Sequence, residues 1–297
     1  MRRLNLGRKK ALLLAIPAVV TLHLLVLPLV SGRPPAPRVL PKTAAGGFFS
    51  PASFHTLVVP LGVYTARLDY PENCPCLAGC PPTFSLWRGG TKLAEEGFAR
   101  ALDPHTGHDV NGDGHPDAIV HLHSRGAHCC YATILYSLGE VPMRYVVESG
   151  SHCPGEFRDL NGDGVYEFLT CDDSFAYKFC SFAQSPLVRV VLKFMPGQGY
   201  VPASPEFPEI YAEEIAQHRA QAEETLNQGP SPDRDGTPKC VVLALVLDYL
   251  YSGHPEKAWE ALYHYYRYPD VEGFRRAIED TVRRSRYSPG CLEGLEG

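Results

Sequence analysis

The sequence predicts an α+β fold in which a β-rich domain comes first and a small helical domain follows it. Between about residues 56 and 203, short β-prone runs alternate with Gly, Pro, Asn and Asp, the residues typical of turns. After about residue 208, apolar residues recur at helical spacing and Gly or Pro stands at the ends of the runs. The 27 Pro and 27 Gly residues of this 297-residue chain also favour a body with many turns.

The first 32 residues differ in character from the rest. The basic residues Arg2, Arg3, Arg8, Lys9 and Lys10 precede an apolar stretch from Ala11 to Val30. This order is typical of a secretory signal, and a run of about 20 apolar residues is also long enough to span a bilayer. Residues 1–32 are therefore interpreted as a signal peptide or an N-terminal membrane anchor. Either one predicts an extracytoplasmic body, with membrane contact only if the segment is not cleaved.

Residues 33–55 are rich in Pro, Ala, Gly and Ser and predict a linker. The predicted β-rich domain then covers residues 56–203. Its β-prone runs are Thr56–Val63, Thr83–Trp87, Ala118–His123, Tyr131–Leu138, Tyr145–Glu148, Tyr166–Thr170 and Leu187–Phe194.

The predicted helical domain covers residues 204–297. A first helix over Glu209–Gln228 ends before a glycine, and a strongly apolar second helix begins at Thr237-Pro238 and reaches Tyr251. A third covers His254–Tyr268 and stops at a proline, and Asp270 can cap a last helix that reaches about Arg286.

Charge and cysteine usage limit the classes of function. The net charge is −5 and no basic stripe follows the first ten residues, so nucleic-acid binding is not expected. Ten cysteines in an exported chain predict disulfides, although their connectivity does not follow from sequence. Cys240 and Cys291 are expected to tie the first and last helices of the helical domain together. Cys129 and Cys130 alternate faces on a predicted strand, so each is expected to bridge a different neighbour.

One nine-residue segment is repeated inside the β-rich domain. Residues 109–117 are D-V-N-G-D-G-H-P-D, and residues 159–167 are D-L-N-G-D-G-V-Y-E. Calcium takes six to eight oxygen ligands at about 2.3–2.6 Å, and short acidic side chains at alternate positions can converge on it. Glycine at the sixth position permits the sharp turn that this requires. The repeat therefore predicts two calcium loops, whereas tight turns without metal are the simpler alternative for one such loop alone.

The two loops are not EF-hands, because the twelfth positions are Val120 and Thr170 and not the bidentate Glu that an EF-hand uses. They resemble instead the FG-GAP or VCBS repeat of integrin-like β-propellers, in which D-x-[DN]-x-D-G-x-x-[DE] joins two strands of a blade. The resemblance covers residues 84–202. Since a closed propeller has about 4–8 blades, it implies a β-rich domain of propeller-like repeats that are too few to close.

The resemblance also implies a ligand set at each loop, carried over position by position. In the first loop the ligands are the side chains of Asp109, Asn111, Asp113 and Asp117 and the carbonyl of His115. In the second they are the side chains of Asp159, Asn161, Asp163 and Glu167 and the carbonyl of Val165. Because protein oxygens nearly fill the coordination shell, both calcium ions are expected to be structural.

Three functions remain open at this point. The leading one is an exported, non-enzymatic module of the cell envelope or exterior, stabilised by calcium and disulfides, that binds a protein or envelope ligand. The first alternative is an exported hydrolase with catalytic residues among His128, His152, Asp172 and Asp173. The second is a thiol or soft-metal handling protein that uses the His128-Cys129-Cys130 run. The sequence contains no G-x-S-x-G, H-E-x-x-H or C-x-x-C signature for either alternative.

Overall fold

The structure is a computed structural model that describes residues 38–40, 54–72, 80–126, 130–229 and 236–292. The predicted signal or anchor segment, and most of the predicted linker, lie outside these ranges. Residues Ala36–Gly297 form one compact unit. In the part of the chain that the structure describes, no helix is long and apolar enough to cross a membrane.

The described strands form three antiparallel sheets in which strands that are consecutive in sequence are neighbours. The first sheet contains β1 (Arg38–Leu40), β2 (Phe54–Leu61), β3 (Tyr64–Pro71), β4 (Thr83–Arg88) and β5 (Thr91–Gly97). The second contains β6 (Ala99–Leu102), β7 (Asp117–His123), β8 (Tyr131–Ser137) and β9 (Met143–Ser151). The third contains β10 (Glu156–Arg158), β11 (Glu167–Asp172), β12 (Val188–Met195) and β13 (Gly199–Pro202).

Four α-helices follow the sheets: α1 (Ala212–Asn227), α2 (Gly236–Tyr251), α3 (Pro255–Tyr265) and α4 (Val271–Arg284). A short 3₁₀ helix, Pro208–Tyr211, leads into α1. Open antiparallel sheets followed by helices are an α+β architecture, so the predicted fold class is confirmed. Each predicted run overlaps an observed strand, and each predicted helix has its counterpart within a few residues. The sequence did not reveal six of the strands, β1, β3, β5, β6, β10 and β13, and β1 lies in the segment predicted as a linker.

The helices and the third sheet share one hydrophobic core. α2 is apolar around most of its circumference, as expected for a helix covered on several sides. Its residues Leu243, Val246 and Leu250 are fully buried and belong to the same cluster as Phe168 and Val190 of the third sheet. The helical segment therefore completes the core of the sheet region. The predicted boundary between residues 203 and 204 stays a prediction.

A buried carboxylate fastens this junction. Asp172, at the end of β11, is fully buried. Its Oδ2 accepts hydrogen bonds from the hydroxyls of Tyr251 and Ser285, and its Oδ1 accepts one from the backbone N–H of Ser174 at 2.8 Å. Hydroxyl donors from α2 and from the segment after α4 thus satisfy a charge on the third sheet, as a buried carboxylate requires.

Two disulfides with both partners described lie in the body. Cys153 bonds to Cys171, and Cys180 bonds to Cys240, with Cα–Cα distances of 5.8 and 5.9 Å. The second joins the β11–β12 connection to α2. Among the described cysteines, Cys291 is the free one.

The expected Cys240–Cys291 pair is wrong, and the geometry of α2 explains why. The Cys291 thiol lies 3.3 Å from the carbonyl oxygen of Leu250, near the opposite end of α2 from Cys240. Ten residues of helix separate the two places by about 15 Å, far beyond the roughly 7 Å that a disulfide allows between Cα atoms.

Candidate metal centre

The two acidic loops occupy equivalent places in the second and third sheets. The first loop, 109–117, connects β6 to β7, and the second loop, 159–167, connects β10 to β11. In each case the ninth loop residue is the first residue of the strand that follows. The sequence repeat is therefore also a repeat of position within the sheet.

The two loops also share their internal hydrogen bonds. The Oδ1 of Asp109 accepts the N–H of Gly112 at 2.8 Å and that of Asp113 at 3.2 Å, and its Oδ2 accepts the N–H of Gly114 at 2.8 Å. Asp159 accepts the same three bonds at 2.7, 3.2 and 3.1 Å. Both glycine positions of the first loop have φ values of 73° and 87°, in the left-handed region that favours glycine. Each loop is thus a preformed turn around its first carboxylate.

Asp117, at position nine of the first loop, carries an unsatisfied buried oxygen. The side chain is fully buried, and its Oδ2 accepts the N–H of Val110 at 2.8 Å. Its Oδ1 has no hydrogen-bond partner among the described residues. Burial, with smaller contributions from the neighbouring carboxylates Asp113 and Asp109, raises the pKa of Asp117 to about 7. A bare buried carboxylate oxygen is costly, and a cation in the loop would satisfy it.

The side chain at position nine of the second loop is also buried, although slightly less than Asp117. Glu167 is 4% exposed, and its Oε2 accepts the N–H of Leu160 at 2.9 Å. Burial raises its pKa as well, again with two loop carboxylates adding to the effect. The two loops therefore place the same kind of group, a buried carboxylate with raised pKa, at the same position.

The predicted ligand atoms at both loops suit a hard cation. The predicted ligands are carboxylate, amide and carbonyl oxygens, the set that calcium prefers. Within the described ranges, no group of three or more His, Cys, Asp or Glu side chains is arranged to hold a metal ion. The first carboxylate of each loop instead accepts backbone N–H groups, and a full ligand set would need the Asn side chain and a carbonyl as well. Calcium at the loops thus stays a prediction that the donor chemistry and the bare oxygen of Asp117 fit.

The loops touch each other, which the sequence did not reveal. The backbone N–H of Tyr166 donates to the carbonyl of Val110 at 2.8 Å. A Cβ placed on Gly112 would lie 2.6 Å from Cγ2 of Val165, so any larger residue there would require Val165 to shift. Fifty residues separate the contacting segments, and only the packing of the second sheet against the third brings them together.

A polar network borders the first loop. Asp103, 6% exposed, lies 2.8 Å from Nδ1 of His105 and 2.7 Å from Nε2 of His121. Burial raises the pKa of Asp103, but hydrogen bonds from these two histidines outweigh burial and hold it below its usual value. The other nitrogen of His121 lies 2.9 Å from Oγ1 of Thr133. This network fixes the chain where it enters the first loop.

The residues of the two alternative functions are only partly brought together. His152 pairs with Asp173, whereas Asp172 accepts hydrogen bonds from Tyr251 and Ser285, so the two neighbouring carboxylates have different partners. His128 and Cys129 lie outside the described residues. Cys130 is disulfide-bonded. The thiol alternative therefore loses one of its two predicted thiols.

A cleft that the sequence did not suggest lies between the third sheet and helices α1 and α2. It consists of two cavities of about 330 and 300 Å³ that share Leu187, His218 and Asp248. Nδ1 of His218 lies 2.6 Å from Oδ2 of Asp248, and Arg189 pairs with Glu214 on the cleft wall. His218 and Asp248 are thirty residues apart on different helices, so no local pattern joins them.

Comparisons with known proteins give limited relationships. No family model matches the chain, and no solved structure matches it. A probable thylakoid lumen protein of Synechocystis sp. is 24% identical over 178 residues, which are 58% of this chain and 50% of that protein. An uncharacterised protein of Sinorhizobium fredii is 36% identical over 78 residues, 25% of this chain and 12% of that protein. The chain thus spans half or less of the relatives that it matches.

Proposed function

We propose that the protein is a non-enzymatic, extracytoplasmic module in which two structural calcium ions and disulfides hold the sheets for binding a protein or envelope ligand. The observation that carries the calcium part is the bare, buried Oδ1 of Asp117 inside a loop of oxygen donors. A second loop with the same hydrogen bonds supports it.

Three independent observations support the extracytoplasmic part. Disulfides persist in oxidising compartments, and this chain forms at least two. Its first 32 residues have the pattern of an export signal. A relative is named as a probable protein of the thylakoid lumen, a compartment outside the cytoplasm.

Calcium at the loops would act on structure. In the first loop it would be held by Asp109, Asn111, Asp113, the His115 carbonyl and Asp117. The ion supplies positive charge beside carboxylates that otherwise repel each other. With position nine at the start of β7, it would fasten the turn to the strand that follows.

The cleft beside α1 is the best place for the ligand. Its two cavities are of the size of small-ligand sites, about 300–1,000 Å³. Its charged groups are present as pairs, His218 with Asp248 and Arg189 with Glu214. These pairs offer hydrogen-bond donors and acceptors side by side, which suits a polar but nearly neutral segment of a partner.

A hydrolase is the second candidate, and one observation favours it. Asp248 contacts Nδ1 of His218, and the second ring nitrogen has no hydrogen-bond partner among the described residues. An imidazole oriented in this way can serve as a general base at a pH above its raised pKa, where the ring is neutral. The alanine variant of His218 separates the two functions: turnover of ester or amide substrates that disappears with it would favour the hydrolase.

Calcium titration of the full chain by isothermal calorimetry tests the proposal. We expect two ions to bind with dissociation constants of about 10⁻⁴–10⁻³ M, as in other extracellular modules. The Asp117→Asn and Glu167→Gln variants should each lose binding at one loop. Failure of the wild-type protein to bind calcium at 10-fold higher concentration, about 10 mM, would refute the calcium part.

A further inference from the structure

One peptide group belongs to both loops. The carbonyl of Val165 is the predicted backbone ligand of the second loop, and the N–H of Tyr166 is the other end of the same planar peptide unit. That N–H donates to the carbonyl of Val110, in the first loop, at 2.8 Å. A rotation of this peptide would therefore change a ligand of one loop and a hydrogen bond of the other together.

A second hydrogen bond continues the connection to the first loop. The N–H of Val110 donates to Oδ2 of Asp117 at 2.8 Å, and Asp117 is the carboxylate whose other oxygen is bare. Val110 and Asp117 are both fully buried. The carbonyl and the N–H of Val110 belong to successive peptide units, so this relay of two hydrogen bonds holds the residue on both sides, and its burial keeps water from competing with them.

Side-chain packing joins the same two points. Val165 Cγ2 lies 2.6 Å from the Cβ position of Gly112, the fourth residue of the first loop. Any displacement of Val165 toward the first loop thus presses on its turn. Packing and hydrogen bonding both run from the backbone ligand of the second loop to the first.

We propose that the two loops bind calcium with positive cooperativity through this relay, an inference that rests on the proposed calcium function. An ion that holds the Val165 carbonyl fixes the Tyr166 N–H toward Val110. Val110 then holds Asp117 in place, so the first loop binds its ion without ordering this carboxylate anew. Coupling between sites is reciprocal, so an ion in the first loop favours binding in the second to the same degree.

Only the second loop can supply the N–H that starts this relay. Position eight is Tyr166 in the second loop but Pro116 in the first, and proline has no N–H to donate. The carbonyl of Pro116 instead accepts the N–H of Leu138, in the chain that follows β8, at 2.9 Å. This difference supplies a test, because the first loop itself shows that proline is compatible with the position.

The test is calcium titration of the full chain carrying Tyr166→Pro or Tyr166→Ala. The proline variant removes the donated hydrogen, whereas the alanine variant removes the same ring, with its contact to His105 at 4.9 Å, and keeps the N–H. Coupling between sites is typically about 5–150-fold in affinity. We expect a Hill coefficient above one for wild type and for Tyr166→Ala, and independent sites for Tyr166→Pro, with the first loop at least about fivefold weaker.

A second measurement covers the case in which the proline variant does not fold. Asp159→Asn disables the second loop at a distance from the relay, and the affinity of the first loop should then fall by about fivefold or more. An unchanged first-loop affinity, or equal cooperativity in the proline and alanine variants, would overturn the coupling. Two independent ions in wild type would refute coupling alone, and no calcium binding at all would refute the proposed function.

Discussion

Gly112 and Gly162 are the same position in the two loops but have different surroundings. Both have positive φ, 73° and 79°, where an alanine costs about 1–2 kcal/mol. A Cβ on Gly112 would meet Val165, while a Cβ on Gly162 would meet nothing within 4 Å. From sequence, the sharp turn was assigned to the glycines at position six, Gly114 and Gly164. The difference between Gly112 and Gly162 was not predicted, because it lies in a contact between loops fifty residues apart.

This difference gives a stability prediction. Gly112→Ala should lower the free energy of unfolding by about 2–4 kcal/mol, through backbone strain and the clash with Val165. Gly162→Ala is the matched control and should cost only about 1–2 kcal/mol. Chemical denaturation without calcium measures both. Adding Val165→Ala to Gly112→Ala should remove most of the extra destabilisation that Gly112→Ala shows over Gly162→Ala. Equal losses of stability for the two glycine variants would contradict the contact between the loops.

Replacing Asp117 should change the response of the protein to calcium. Without calcium, Asp117→Asn should change the melting temperature little, because the amide replaces a carboxylate whose burial is unfavourable. With saturating calcium, the variant should gain only about half of the stabilisation that wild type gains. Asp280→Asn, an exposed carboxylate on α4, is the control and should behave as wild type. A full calcium response in Asp117→Asn would remove this residue from the site.

The helices were predicted well, and several strands were not, for a physical reason. Helix ends were announced by local residues, such as Gly229 after α1 and Pro269 after α3. β3 alternates buried Tyr64, Ala66 and Leu68 with polar residues, but its small and charged members weaken the apolar signal. β5 is largely exposed and contains three charged residues, Lys92, Glu95 and Glu96. Such strands are held by their neighbours, which sequence does not show.

The disulfide between the β11–β12 connection and α2 gives a prediction for these elements. Replacing Cys180 and Cys240 by serine should lower the free energy of unfolding by about 2–5 kcal/mol, since the bond spans 60 residues of chain. Cys291→Ser is the control and should change it by less than about 1 kcal/mol. Urea denaturation under non-reducing conditions measures both. Equal, small effects would show that the bond contributes little.

The His218–Asp248 pair between α1 and α2 predicts how the stability of the protein depends on pH. The hydrogen bond to Asp248 raises the pKa of His218, although burial of His218 opposes it. Burial also raises the pKa of Asp248, which works against an ion pair, but the 2.6 Å contact favours the charged pair at neutral pH. A histidine whose pKa is raised in the folded state stabilises the fold. This stabilisation is complete below about pH 6.5, the pKa of the histidine in the unfolded state, and it is lost as the pH rises through the pKa in the folded state.

The stability difference between wild type and His218→Gln should therefore be about 1–3 kcal/mol at pH 6 and smaller at pH 9. Denaturation curves at both pH values measure it. Arg284→Gln, which removes one partner of an exposed ion pair on α4, serves as the control and should show little change at either pH. A difference that grows toward pH 9 would contradict the direction of the shift.

For the whole molecule, the fold class could be predicted from the sequence, whereas the way in which the sheets, helices and loops pack together could not. The β-rich body, the helices and the two loops were all visible as local patterns. The cleft, the contact between the loops and the Asp172 junction all join residues distant in sequence. We expect the second sheet, the third sheet and the helices to unfold in a single transition, because they share one core.

The most direct test of calcium-held sheets is the melting temperature of the full chain in 10 mM calcium and in excess chelator. At the tighter end of the expected range, a dissociation constant of about 10⁻⁴ M, 10 mM calcium is about 100 times the dissociation constant, and each of the two sites would add about 2.7 kcal/mol. At roughly 2–4 °C per kcal/mol for a chain of this size, we predict a rise of about 10–20 °C. The double variant Asp109→Asn/Asp159→Asn should show almost none of it. Equal melting temperatures of wild type in calcium and in chelator would contradict the proposal that calcium holds the sheets.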